Sequence, residues 1–499
     1  MLLTFLIFSP LLGLLALLFL KEKNKKRTRW SGVLSTLTPL ILAWTTYIQV
    51  RAGRSYTSFS QQHEWFRFGY VENPTNLYAI QYEVGIDGFS LILLVLTATL
   101  STLAAIASLS IQTGVRAYFS LFLLLEVGML GVFTAQNLIL FFIFFELTLI
   151  PMFLLIGKWG GFQREKAAYT FLLYNGIGSA ILLVVIMTLF AKTGTSNFNL
   201  LTDILTNETI TVLSPKEKWG VFLALLVAFA VKLPVFPLHT WMVRVHVQAP
   251  PPIVMLHAGV LLKIGAFGFI RFGMGLFPEE FASIAMIIVA LGVVNVLYGA
   301  FLAWRQDDLR KVLAYSSISH MGIVLIGLGA LNSAGIQGAM FQVISHGLIS
   351  ALLFFLVGLL LERAATTTIS KLGGVASSMP IFGGVLLTGA MASLGLPGLS
   401  GFISEFMAFL GAFKQFPWLA TVGTIGLIMT AVYMLRAVLS ITFGRLNVSL
   451  VHQTDMAKTD IMVASIFLFF IITIGVYPNV LISVIQPSLQ VILDGLGGG

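Results

Sequence analysis

Apolar runs of about 20 residues alternate with short polar connections along most of the chain, the pattern expected when each run crosses a bilayer as one helix. The runs predict about fourteen spans, at roughly 2–20, 30–50, 88–111, 117–134, 137–157, 168–191, 219–240, 252–272, 281–303, 310–330, 337–361, 380–412, 417–442 and 460–482. The 380–412 run is too long for one straight helix. KEKNKKRTRW follows the first run directly. A secretory signal carries its positive charge before the apolar region, so residues 2–20 are expected to be a retained helix.

Composition agrees with this reading. Of 499 residues 58% are hydrophobic and 10% charged, which excludes an ordinary soluble globule and predicts an all-α polytopic membrane protein. With no cysteine, disulfides, thiolate metal sites, iron–sulfur clusters and covalent haem attachment are excluded within this chain. Any redox centre is therefore expected in other subunits. The net charge of +9 reflects loop lysines and arginines rather than a nucleic-acid partner. Loops after odd-numbered spans hold eighteen Lys and Arg against eight in the opposite set. The positive-inside rule then makes the odd-numbered loops cytoplasmic and leaves both termini outside. The longest outer loop, about Arg51–Gly85, is polar and aromatic and is expected to fold over the outer surface.

Removing the loop charges leaves Glu146, Lys232, Lys263, Glu405 and Arg436 near mid-span, with His239, His257, His320 and His346. A charged side chain at the bilayer centre costs roughly 2.5–3.5 kcal/mol even on the permissive insertion scale, so each needs a partner or a function. Burial and neighbouring charges can move Glu, Lys and His by several pH units, which suits them to carry protons. Arg stays protonated, and Arg436 is expected to snorkel to the cytoplasmic face. For Glu146 the alternative is a protonated packing carboxyl, and for Lys232 an ion-pair partner that neutralises Glu146 without moving a proton. His239 and His257 read equally well as packing residues. His320 and His346, mid-span on neighbouring helices, are better proton carriers.

In KLPVFPLHTW, Pro234 and Pro237 fall inside an apolar run and predict a broken seventh helix. A second break is predicted in ASLGLPGLSGFISEF, residues 392–406, with Glu405 following Pro397 by two turns. Non-helical backbone at membrane depth is tolerated where it is buried in protein or lines a hydrated cavity. Breaks in the seventh and twelfth helices are the spacing expected if spans 4–8 and 9–13 are five-helix repeats of inverted topology. The expected organisation is N-terminal helices 1–3 with the outer loop (1–115), a first repeat (116–275), a second repeat (276–445) and a C-terminal helix (446–499).

FFELTLIPMFLLIGKWGG, KLPVFPLHTWMVRVHVQAP, LLKIGAFGFIRF, WRQDDLRKVLAYSSISHMG, SHGLISALLFFLVG and GLPGLSGFISEF together resemble the antiporter-like membrane subunits of respiratory complex I, the NADH–quinone oxidoreductase. The resemblance runs from about residue 85 to 445 and is greatest to the chain M branch, because Glu405 stands where sister subunits and multi-subunit sodium/proton antiporters usually carry Lys. It implies fourteen helices, two inverted five-helix repeats each forming a half-channel, and a hydrated polar axis at mid-membrane. It also implies that Glu146 and Lys232 form a coupling pair, Lys263 sits centrally and Glu405 faces the exit. Val243, Val245 and Gln248 depart from the family's usual Pro, Ala and Glu, toward the cytoplasmic loop.

The expected function is proton translocation along Glu146, Lys232, Lys263, His320, His346 and Glu405, driven by quinone reduction elsewhere in the complex. No cofactor is expected in this chain; NADH, flavin, iron–sulfur clusters and quinone belong to partner subunits. The implied partners are other complex I membrane subunits, chain L-like and chain N-like, together with lipid, in the cell inner membrane. The alternative is a subunit of a multi-subunit sodium/proton antiporter. A haem-binding electron carrier is a third reading, for which no paired histidines at haem spacing are evident.

Overall fold

The computed structural model describes residues 1–20, 24–69, 77–207, 212–445 and 453–496. Residues 21–23 of the basic loop, 70–76 of the Arg51–Gly85 connection and 446–452 at the start of the C-terminal segment lie outside the described residues.

Two helices, α1 (Leu2–Phe19) and α2 (Lys25–Arg51), precede a two-stranded antiparallel hairpin of β1 (Gln61–Gly69) and β2 (Leu77–Val84). The long polar loop thus contains the one sheet found among the described residues. Helices α3 (Gly88–Ala107), α4 (Val115–Thr134), α5 (Leu138–Trp159) and α6 (Arg164–Thr193) follow, then the short α7 (Phe198–Thr206). The seventh predicted span is two helices, α8 (Pro215–Lys232) and α9 (Thr240–Gln248). The eighth comprises α10 (Pro251–Leu256), a π-helical turn His257–Leu261, α11 (Leu262–Gly268) and a second π segment, Phe269–Met274. After the short α12 (Pro278–Ser283) come α13 (Ala285–Trp304), α14 (Leu309–Gly329) and α15 (Ser333–Ala364). The short α16 (Val375–Ser378) leads to the second interrupted span, α17 (Pro380–Ser393) and α18 (Ser400–Gln415), followed by α19 (Pro417–Thr442), α20 (Lys458–Val476) and α21 (Asn479–Gly495).

Among the described residues twelve helices are long and apolar enough to cross a membrane. The two interrupted spans fall outside that count. The α17–α18 span is divided into pieces of 14 and 16 residues, and α8 brings charged residues into its first turn.

Polar residues stop the apolar runs and start the helices. Asp87 and Ser90 form a capping box at α3, Ser214 and Glu217 one at α8, and the side chains of Asn137, Asp308 and Asn332 accept from first-turn amides of α5, α14 and α15. The hairpin is tied down by the buried Glu83, which accepts from Gln62, Asn137 and Asn197 at 2.9, 3.2 and 3.0 Å. Arg271, at the end of the eighth span, donates to Asp87 at 2.6 Å and Gln136 at 2.7 Å, joining that helix to the same face.

Burial sorts the helices. Residues 252–270 of the eighth span are all buried, and α3, α14 and α15 almost entirely so, whereas α1, α2, α6, α19 and α20 turn much of their surface outward. Helices buried all round form the interior of a bundle, and partly buried ones face lipid or partner chains. Lys263, His320 and His346 therefore ride on the innermost helices.

Candidate functional site

At the first break the helix ends at Lys232 and resumes at Thr240. The released backbone groups find partners, as they must at membrane depth. Asn295 of α13 accepts from the Phe236 amide at 2.8 Å and donates to the Pro234 carbonyl at 3.3 Å, while Trp241 Nε1 donates to the Val231 carbonyl at 3.2 Å. Gly265, two residues beyond Lys263, admits this backbone: a Cβ there would stand 2.6 Å from the Leu233 nitrogen. The break is thus packed directly on the Lys263 helix.

Lys232 is 3% exposed, with its ammonium 4.6 Å from the Phe145 ring centroid and 6.0 Å from that of Phe171. Glu146 follows Phe145 on α5; its Oε1 is enclosed without a hydrogen-bond partner, and its charge acts on Lys232 through space. The two do not form an ion pair within 4.0 Å among the described residues, and Lys232 packs on the ring of the residue next to Glu146. Phe171 neighbours both Lys232 and the next polar group, its ring also 6.1 Å from the imidazole of His257.

His257 is not the isolated packing residue that the sequence allows. His246 Nε2 stands 2.8 Å from His257 Nδ1, and both rings are buried. The charge of Lys263 acts on both, and that of Lys232 on His257. The pair arises because the chain reverses between α9 and α10, at Ala249–Pro251, which sets His246 beside the first π-helical turn. A cavity of about 180 Å³ runs from His246 past Gln248 and Arg310 toward the Trp159–Gly161 turn.

Lys263 is fully buried and its Nζ lies 2.7 Å from His346 Nδ1, with Met321 Sδ at 3.9 Å. An ammonium has donors only, so His346 Nδ1 accepts and its proton sits on Nε2, 3.1 Å from Ser317 Oγ. The His346 and His320 rings are 5.4 Å apart. His320 Nδ1 accepts from Gln342 Nε2 at 2.9 Å and lies 3.7 Å from Glu405 Oε1, while its Nε2 is 3.2 Å from Ser393 Oγ. Ser404 donates in turn to Gln342 Oε1. A small cavity among Ser317, His320, Gln342, His346, Ser393 and Glu405 has space for roughly one water molecule.

Glu405 is carried on α18 just past the second break, where Gly395 has φ +78°. A Cβ on Gly395 would lie 2.5 Å from Glu405 Oε2, so the carboxylate packs against the unwound backbone itself. Arg436 is exposed and donates to the Trp304 carbonyl at the end of α13, as a snorkelling arginine would. His239 Nε2 meets Tyr298 Oη at 3.2 Å, away from the Lys263 cluster.

The structure therefore brings Lys263, His320, His346 and Glu405 into one connected group and sets Glu146 with Lys232 beside it. Sequence reasoning missed His246, Gln342 and Glu126. Glu126, a lone acid in the apolar FLLLEVGML, is fully buried on α4 with neither carboxylate oxygen hydrogen-bonded, and the hydropathy argument applied to Glu146 identifies it equally. His246 carries no such signal, because it follows the break and reads as part of a loop. Among the described residues no group of three or more His, Asp or Glu could hold a metal ion.

Residues 135–432 match the family described as NADH:quinone oxidoreductase/Mrp antiporter, transmembrane. Over 492 residues, 98% of this chain and 97% of its counterpart, the sequence is 35% identical to NADH-quinone oxidoreductase subunit M of Rickettsia prowazekii. The chain belongs to this family. A chain of respiratory complex I from Thermus thermophilus with bound NADH is 30% identical and superposes over the whole of both chains with a TM-score of 0.85. A chain of the Mrp complex from Dietzia has a TM-score of 0.81 at 20% identity, a likeness of fold alone. The protein is thus a multi-pass antiporter-like membrane subunit of the complex I type, and the sodium/proton antiporter reading is the weaker one.

Proposed function

We propose that the chain translocates protons within a NADH–quinone oxidoreductase, and that it carries no redox centre of its own. The observation that carries this reading is the buried contact series Lys263, His346, His320, Glu405, in which every successive group can give or accept a proton. A chain built only to neutralise charge has no use for two histidines between its lysine and its glutamate.

In this reading quinone reduction in partner subunits alters the field at Glu146, and the change in its attraction for Lys232 moves a proton between Lys232 and the His257–His246 pair. His246, at the cavity by the Trp159–Gly161 turn, takes up protons from that face. Lys263 passes a proton to His346 Nδ1, whose Nε2 proton leaves by way of Ser317 and the small cavity to His320. At 3.7 Å, His320 and Glu405 are beyond direct hydrogen-bond distance, so this step uses a bridging water or a rotation of the carboxylate. Glu405 then releases the proton toward the hairpin face.

Each interrupted span counts as one crossing in this proposal, giving fourteen helices, with residues 116–275 and 276–445 as inverted five-helix repeats. Chain L-like and chain N-like subunits flank it in the cell inner membrane, with both termini outside. The test is proton uptake per NADH oxidised in sealed vesicles carrying the whole complex with Glu146→Gln or Glu405→Gln. Both variants are expected to assemble and to pump poorly. A wild-type ratio in both would sink the proposal, and proton exchange driven by sodium without NADH would favour the antiporter reading.

A further inference from the structure

A second cavity, of about 230 Å³, lies away from the polar axis among α2, α3, α15, α20 and the start of α21. Its walls include Trp44, Val95, Ile344, Leu348 and Phe470, and its rim is Phe469, which is 62% exposed. The polar atoms on the walls of α2 are already used: Trp44 Nε1 donates to Thr99 Oγ1 at 3.2 Å, and Tyr47 Oη donates to the Val480 carbonyl at 2.8 Å. Trp44 is held flat by stacking on Phe470, with ring centroids 5.5 Å apart. An occupant is therefore selected by apolar shape rather than by hydrogen bonds.

The mouth is different. Tyr47, Val480 and Leu481 mark the end nearest the hairpin face, and one turn past Tyr47 stands Arg51, exposed at the end of α2. Arg51 Nη1 donates to the Asn479 carbonyl at 3.3 Å and to Ser483 Oγ, which holds the guanidinium on the first turn of α21, next to the wall residues Val480 and Leu481. Its Nε and Nη2 make no hydrogen bond among the described residues. Arg54 lies in the next turn of chain. At 1.5 Å per residue, Trp44 lies about 10 Å below Arg51. A cationic fork over an apolar shaft matches an anionic headgroup with a hydrocarbon chain below it.

We propose that this cavity binds one acyl chain of an anionic phospholipid, with its phosphate on Arg51. Ile344 and Leu348 place the chain's far end behind the stretch of α15 that carries His346, so the bound lipid also supports that helix from its apolar side.

Trp44 is the built-in reporter. Its fluorescence, read as the difference between wild type and Trp44→Phe in the whole complex, is followed as phosphatidylglycerol with dibrominated acyl chains is added to vesicles. Trp418, 69% exposed, serves as the bulk-lipid reference through Trp418→Phe. Trp44 is expected to be quenched at a several-fold lower mole fraction of brominated phosphatidylglycerol than Trp418. Val95→Phe, which fills the shaft, should remove that preference. Arg51→Gln, a surface change that leaves the shaft intact, should make brominated phosphatidylglycerol and phosphatidylcholine equivalent. Equal quenching of Trp44 and Trp418 in wild type would overturn the site. No effect of Arg51→Gln would overturn the anionic headgroup, and relief of quenching by decylubiquinone in preference to unbrominated phosphatidylglycerol would assign the cavity to a quinone tail instead.

Discussion

Lys263 and His346, 83 residues apart in sequence, meet at 2.7 Å in the interior of the bundle, and each is the other's principal polar partner. The contact makes the central lysine a proton donor aimed at one imidazole nitrogen. Removing a partner from a buried hydrogen-bonded charge costs about 1–3 kcal/mol or more. His346→Leu is therefore expected to lower proton uptake per NADH severalfold while the complex still assembles. Because the two residues act as one unit, adding Lys263→Met should reduce uptake no further. Additive losses in the double variant would separate their roles.

Lys232→Arg distinguishes a proton carrier from a counter-ion. Arg keeps the positive charge opposite Glu146 but stays protonated, whereas a desolvated ammonium can lose its proton. The variant should assemble normally and pump poorly. Uptake at the wild-type ratio, normalised to assembled complex, would make Lys232 a neutraliser of Glu146 only.

At the second break the contact of Gly395 with Glu405 predicts a rescue. Gly395→Ala places a Cβ 2.5 Å from Glu405 Oε2 on a backbone with φ +78°, at a cost of roughly 1–3 kcal/mol. Pumping should fall, and Glu405→Asp in the same chain should restore part of it, since the shorter carboxylate withdraws from the added methyl. The readout is proton uptake alongside the yield of assembled complex, and a double variant no better than Gly395→Ala would refute the contact's importance.

Asp308, which caps α14 outside the membrane span, sets a pH dependence. Burial pushes its carboxyl up, but the Arg310 guanidinium and amide with the Thr367 hydroxyl outweigh it and hold it below the ordinary carboxylate value. A carboxyl held low in the folded state contributes stability above its unfolded value of about 3.9 that is lost as pH falls through the lower folded one. Asn is an equally good cap, so Asp308→Asn keeps an oxygen for the Arg310 amide and removes the charge together with the acceptor for Arg310 Nη2. Its melting temperature should lie below wild type at pH 7, and the gap should close in the acid range. A constant gap across that range would assign the effect to the cap.

The polytopic architecture, both broken helices and the titratable groups inside apolar runs were readable from the chain, each for a local reason. Hydrocarbon thickness sets the length of an apolar run, proline and glycine interrupt a helix wherever it is placed, and a charge in an apolar run is costly in any fold. Glu126 was equally readable by that last rule. The β-hairpin was not, because a connection rich in aromatic and polar residues has no apolar face to give its pairing away.

The residue sequence by itself therefore determined the apolar helices, where two of the runs break, and which titratable groups lie within those runs. Tertiary structure alone decided the partners: that Lys263 meets His346 rather than His320, that Lys232 packs on the Phe145 ring rather than bonding Glu146, and that His246 leaves its apparent loop to bond His257. Pairing between helices depends on rotation about the helix axis and on crossing depth. Those are set by contacts such as Gly265 against Leu233 and Gly395 against Glu405, between residues that hydropathy along the chain cannot relate.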